Sequence, residues 1–343
     1  MTRSQVQDLL RRPVVLAPMA GGPSTVELVT AGVRAGALAF LAAGYKTPEV
    51  MLAEVEAVRA GTSGPFGVNL FVAGTPSADT GAVARYAESL RGDGEAVGAS
   101  LAEPAWDDDH FWDKAAALLS DPPALVSFTF GCPPDDMIAE FKRAGAVVAV
   151  TVTTPGEAAT ATAAGADALC VQGHEAGAHR GTFSNDDEPG RDLGLLSLIG
   201  AVGGVSDLPQ LAAGGIMGPQ QVSAVLAAGA VAAQCGTAFL RSPESGAHPV
   251  HKAALADPRF TATALTRAFS GRPARGLVNR FMLDHAGAPA AYPEINNATR
   301  PLRAAASAKG DAQRMSLWAG QGYRAATGRP AADILDWLTG AAR

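Results

Sequence analysis

A (β/α)8 barrel carrying an inserted and C-terminal helical cap is the architecture this sequence predicts, and three observations predict it. Eight short β-rich runs alternate with helix-like stretches along the chain of 343 residues. Several of these runs are apolar on consecutive residues, as expected for strands of a parallel sheet buried on both faces. The same small junction, Ala-Gly-Ala, recurs ahead of four of them. A doubly wound sheet is the rival, but its usual GxGxxG turn is missing after the first strand, which ends Pro18-Met19-Ala20-Gly21-Gly22-Pro23.

The runs are 14–20 (VVLAPMA), 38–43 (LAFLAA), 66–72 (FGVNLFV), 124–130 (ALVSFTF), 146–152 (AVVAVTV), 168–172 (ALCVQ), 209–213 (PQLAA) and 231–239 (VAAQCGTAF). Gly36, Gly145, Gly165 and Gly229 stand at the four junctions, where a left-handed residue closes a helix and turns the chain into the next strand. Thr47-Pro48-Glu49 and Thr154-Pro155-Gly156-Glu157 each read as a helix start: Thr as cap, Pro in the first turn and an acid near the positive end of the dipole. Residues 92–123 are acidic and contain Trp106 and Trp112, so they are expected to leave the repeat as an excursion with a helix. The barrel is assigned to 1–242. Residues 243–343 are assigned to a helical cap with a closing helix near 331–342.

Composition bounds the function. Hydrophobic residues are 48% and charged residues 17% of the chain, a globular balance. A net charge of −6 with no basic run predicts no nucleic-acid partner. Cys132, Cys170 and Cys235 are too few and too scattered for a disulfide framework or a metal site. The N-terminus lacks the apolar core of a secretory leader, and no apolar run approaches the roughly 20 residues of a membrane span. A cytoplasmic location is expected, and a homodimer is left open.

In a barrel the chemistry collects where the strands end. Ala17, Pro18 and Met19 end the first run with small or N–H-less backbone, suited either to a tight turn or to a flat ligand. Asn69 puts an amide inside the third, where it must find partners in the core or on a ligand. The sixth run ends Gln172-Gly173-His174-Glu175-Ala176-Gly177-Ala178-His179-Arg180-Gly181, which gathers an amide, two imidazoles, a carboxylate, a guanidinium and glycines at a strand's carboxyl end. His179 is the candidate base, since imidazole accepts protons near neutral pH; His174 is the lesser candidate. Gly214 and Gly215 after the seventh run, and Gln234, Cys235, Gly236 and Thr237 in the eighth, offer exposed backbone N–H groups where such barrels hold phosphate. Tight turns alone are the plainer alternative.

The motifs VLAPMAGG (15–22), FGVNLF (66–71), SFTFGCP (127–133), GADALCVQGHEAGAHRGTF (165–183), LAAGGIM (211–217), AAQCGTAFL (232–240), TRAFSGRPARGLVNRF (266–281) and LWAGQG (317–322), in this order, resemble the nitronate monooxygenases nearly end to end. The resemblance implies an FMN-dependent barrel that oxidises nitronates or nitroalkanes with O2. It implies FMN contacts at Asn69, Gln172, Gly177, Gly215 and 234–237, and His179 as base. It also implies a pocket bordered by Tyr292, Trp318 and Gln321. Ala178 departs from the pattern, since many relatives have a second Gly before the His. Flavin-dependent enoyl-acyl-carrier-protein reductases and NAD(P)H-quinone reductases share the scaffold and are the alternatives; both consume NAD(P)H. A flavin-binding module without activity is a third.

Overall fold

The computed structural model describes residues 3–186 and 192–341. Its strands are β1 (Val14–Leu16), β2 (Leu38–Ala42), β3 (Gly67–Phe71), β4 (Leu125–Thr129), β5 (Val147–Val152), β6 (Ala168–Gln172), β7 (Ala178–His179), β8 (Gln210–Ala213), β9 (Ala232–Cys235), β10 (Thr263–Thr266) and β11 (Ala274–Leu277). Eight of them close a parallel barrel in the order β1-β2-β3-β4-β5-β6-β8-β9. All eight predicted runs supply these strands.

Two bounds differ from the reading by more than one residue. The first strand stops at Leu16 rather than 20, because the last rung, Ala17 N–H to Cys235 C=O at 2.9 Å, is followed by Pro18, which has no N–H. The last strand stops at Cys235 rather than 239, where the chain winds into a 3₁₀ turn over Thr237–Phe239.

Local chemistry explains the joints. Gly36, Gly145, Gly165 and Gly229 have φ of +86°, +94°, +93° and +111°, the left-handed region that glycine enters without a Cβ penalty. Thr47 accepts the N–H of Val50, and Thr154 that of Glu157, each closing a helix start at about 1 kcal/mol of stability. The helix within the acidic excursion is Phe111–Leu119.

Alternation along the strands sorts the core into layers. Val68, Leu70, Val126, Val148, Val150 and Leu169 face the surrounding helices and join the main core cluster. A second cluster gathers Val15, Leu38, Phe40, Leu125, Val147, Leu211 and Ala232, together with Val6 of the N-terminal helix Arg3–Asp8. Residues two or four positions further along several strands are Asn69, Thr129, Thr151, Gln172 and Gln234, and these line a cavity. The inside is therefore apolar toward the strand starts and polar toward the strand ends.

A third cluster forms the cap: Tyr86, Leu90 and Val97 pack with Phe269, Phe281, Ile295 and Leu302. The closing helix, Ala331–Leu338, instead returns Ile334 and Leu335 to the barrel's own core. The cap is not only helical. A small antiparallel sheet, β10-β11-β7, ties it to the segment after β6. No helix among the described residues is long and apolar enough to cross a membrane.

Candidate active site

A cavity of about 490 Å³ opens at the carboxyl ends of the strands, and His179 and all the expected cofactor contacts line it: Ala17, Pro18 and Met19, Asn69, Gln172, Gly177, Gly214 and Gly215, and 234–237. They reach it in different ways. Asn69 Oδ1 accepts from Ser127 Oγ at 2.8 Å and Thr129 Oγ1 at 3.0 Å, which leaves its amino group, with no protein acceptor among the described residues, beside the cavity. Gln234 Nε2 donates to Cys170 Sγ at 3.1 Å. The Cys235 side chain belongs to the helix-facing core, so this residue offers the cavity only backbone.

Gln172 is spent largely within the protein. Its Nε2 donates to the C=O of His179 at 3.0 Å, and its Oε1 accepts the N–H of Gly181 at 2.8 Å. Arg180, 3% exposed, donates to the C=O groups of Gln172 and Gly173 at 3.1 and 2.6 Å. Amide and guanidinium thus pin the segment that follows β6. Gly177 is required by packing: a Cβ there would stand 2.4 Å from the backbone N of Gly320. Ala178 adopts φ +62°, the left-handed conformation that explains why glycine suits this position.

That strained step delivers His179 to β7, where it pairs with Ala274 of β11. Its Nε2 lies 2.8 Å from Ser270 Oγ, and the Ser270 hydroxyl donates to the C=O of Arg272 at 3.2 Å. With Ser270 donating in this way, the tautomer assigned to His179 is Nε2–H, with the basic lone pair on Nδ1. The rings of Tyr292, Trp318 and Phe130 surround the imidazole at 5.5, 5.5 and 5.8 Å. Burial, and then the charges of Arg272 and Arg303, push its pKa down to about 3. His179 is therefore neutral at physiological pH. His174 does not line the cavity. Its N–H and C=O are bound to Leu193 and Arg275, and its Nδ1 is buried without a hydrogen bond. Glu175 is also structural, accepting the N–H of Leu195 at a helix start that has no side-chain cap of its own.

The loops after β8 and β9 form a cradle of donors. Gly214 and Gly215 have φ of +130° and +68°. The N–H groups of Gly214, Gly215 and Gly236 take part in no hydrogen bond among the described residues. Such converging free donors fit an anion of phosphate type.

Sequence reasoning missed the opposite wall. Tyr45 and Phe130 follow β2 and β4 at φ +68° and +78°, conformations that cost an L-residue about 1–2 kcal/mol and gather at functional sites. Both stood at strand ends in the sequence, the one signal available. Arg272 stacks over Phe130 at 4.2 Å. Arg300 and Arg303 complete the lining, and no Asp or Glu takes part in it, although the chain carries a net charge of −6. Tyr292 donates to Tyr45 Oη at 3.2 Å, and Trp318 lines the cavity, as expected. Gln321 does not: it is exposed, and its N–H donates to the C=O of Glu175.

Known proteins match this arrangement along nearly the whole chain. A nitroalkane oxidase from Streptomyces ansochromogenes superposes with a TM-score of 0.95 at 50% identity, covering 98% of this chain and 96% of that one. A FabK variant from Thermotoga maritima superposes at 0.74 with 25% identity, covering 99% and 96%. The nitronate monooxygenase of Pseudomonas aeruginosa is 39% identical over an alignment of 348 positions that covers 96% of this chain and 95% of that protein. A probable nitronate monooxygenase of Bacillus subtilis is 36% identical over 93% and 92% of the two chains. The family model described as nitronate monooxygenase matches residues 3–340, and the chain belongs to the nitronate monooxygenase family.

Proposed function

We propose that the cavity binds FMN and oxidises nitronates, and nitroalkanes, with O2, using His179 as the base for the neutral substrates. The observation that carries this reading is a neutral, oriented imidazole in a carboxylate-free cavity flanked by arginines. FMN fits the donors present. The free N–H groups of Gly214, Gly215 and Gly236, with Thr237, suit its phosphate. The Asn69 amino group suits the polar edge of its ring, and Ala17, Pro18 and Met19 offer a flat, largely apolar wall. When bound, the flavin supplies the redox chemistry.

The protein's own part is proton transfer and charge. A nitroalkane loses a proton from the carbon beside the nitro group, and His179 Nδ1 is the acceptor. The negative charge then forms beside the new imidazolium, and each stabilises the other, which offsets the low basicity of the empty site. Arg272 and Arg303 favour the same anion. The aromatic rings around His179 exclude water and strengthen both effects. A nitronate arrives already deprotonated and bypasses the base.

The test is oxygen uptake by the purified, FMN-loaded protein with propionate 3-nitronate and nitroethane, with and without NADPH. Uptake that needs no NADPH supports the oxidase. NADPH oxidation with enoyl thioesters or quinones, and none of that uptake, overturns it in favour of a reductase on this scaffold.

A further inference from the structure

The acidic excursion between β3 and β4 has no part in the chemistry above, yet it reaches the cavity wall at one point. Asp109 Oδ1 accepts the backbone N–H of Tyr45 at 2.7 Å, and Oδ2 accepts from Lys114 Nζ at 2.8 Å. The same ammonium donates to the C=O of Ala43 at 2.8 Å. The Lys114 side chain is 1% exposed and that of Asp109 17%. One buried ion pair therefore grips both ends of the turn 43–45 that follows β2.

That turn is under tension. Tyr45 has φ +68°, and Gly44 is pressed so close to Phe71 that a Cβ would stand 2.2 Å from its ring. Unheld, Tyr45 relaxes toward negative φ and its phenol swings away. A buried ion pair gains little stability over a well-packed apolar pair. Here it supplies something an apolar pair lacks, two charge-assisted hydrogen bonds aimed at a strained backbone.

The residue so held lines the cavity beside Tyr292, whose ring lies 5.5 Å from that of His179. Tyr45 Oη accepts from Tyr292, so its own proton remains to be donated. Its ring stands edge-on to Phe71 at 5.5 Å, and the Arg300 guanidinium lies 5.8 Å from the ring centre. We infer that Asp109 and Lys114 are positioning residues that hold the Tyr45 hydroxyl as a hydrogen-bond donor to the nitro-group oxygens of the substrate, and so govern substrate binding from outside the cavity. The inference rests on the oxidase reading for its substrate and on geometry alone for the positioning.

The test uses the full chain labelled with 3-fluorotyrosine, whose four tyrosines give resonances assignable by single Tyr→Phe changes. In Asp109→Leu/Lys114→Met the resonances of Tyr45 and Tyr292 are expected to shift while those of Tyr86 and Tyr323 stay. KM for nitronate is expected to rise about tenfold, the loss of one hydrogen bond, with kcat little changed. Tyr45→Phe gives the same rise, and adding it to the double variant gives no more. Asp109→Asn/Lys114→Met keeps an acceptor for the Tyr45 N–H, so it recovers part of the loss; it also serves if the leucine variant does not fold. Unmoved resonances, an unchanged KM, or effects of Tyr45→Phe and the ion-pair change that multiply each overturn the proposal. Failure of the unaltered enzyme to oxidise nitronate defeats the oxidase reading, and the fluorine spectra then decide the positioning.

Discussion

At the scale of single residues, His179 gives the sharpest expectations. His179→Gln is expected to lose about 10²–10⁴-fold in turnover of a neutral nitroalkane while keeping most turnover of the nitronate, which has no proton to give up. Equal losses on both substrates exclude a base. With its pKa held at about 3, the folded imidazole stays unprotonated as the pH drops from about 8 to 5, so the nitroalkane reaction has no acid limb near 6.5. The same depression makes stability depend on pH. The unfolded chain takes up a proton near 6.5 and the folded one only near 3, so this contribution is complete above 6.5 and lost as pH falls through that interval. Ala178 gives a second expectation. Ala178→Gly releases a left-handed conformation worth about 1–2 kcal/mol and adds about 0.5–1 kcal/mol of chain entropy cost. A modestly raised denaturant midpoint is expected; a lowered one excludes strain there. Much of this site was legible, because His179, Asn69 and the glycines stand where strands end. Ser270 and Arg272 were not, although both lie within a recognised motif, because their roles come from pairing across about 90 residues.

At the scale of elements, the barrel strands were readable because burial on both faces leaves continuous apolar runs with few competing interpretations. The sheet β10-β11-β7 was not. Thr263–Thr266 is half-buried throughout, and β11 carries Arg275 and Gly276 in a segment of four residues, so neither shows a clean apolar run or alternation. Only the tertiary pairing reveals them, and that pairing fixes His179 to the cap. The contact of Gly177 with the 319–320 backbone is a second tie between the same two segments. Gly177→Ala forces those backbones apart and is expected to cost about 1–3 kcal/mol, read in the melting temperature, with His179 displaced and nitroalkane turnover lowered. Unchanged stability and activity indicate that the two segments separate freely.

At the scale of the molecule, two parts of the chain far apart in sequence build the cap. Asp93, from the excursion, accepts from His285 Nε2 at 2.8 Å and Arg314 Nε at 2.7 Å. Burial alone raises the Asp93 pKa, but these two partners outweigh it and hold the carboxyl below its ordinary 3.8. A depressed acid stabilises above its unfolded value and loses that effect as pH falls through the folded one, so the clamp weakens below about pH 4. Asp93→Asn is expected to bring cap loosening to neutral pH, seen as faster hydrogen exchange in 83–97 and 280–315 with the barrel strands unaffected. Uniform exchange across the chain contradicts a separable cap. No local pattern announced this partnership, since 92–123 read as an acidic excursion and 243–343 as a helical cap, with nothing in either to pair them. The N-terminal helix has a consequence of another kind. Val6 fills the far mouth of the barrel among Val15, Phe40 and Leu211, so the interior is closed at the strand starts. Whatever reacts inside therefore enters from the strand ends, on the side that the cap covers.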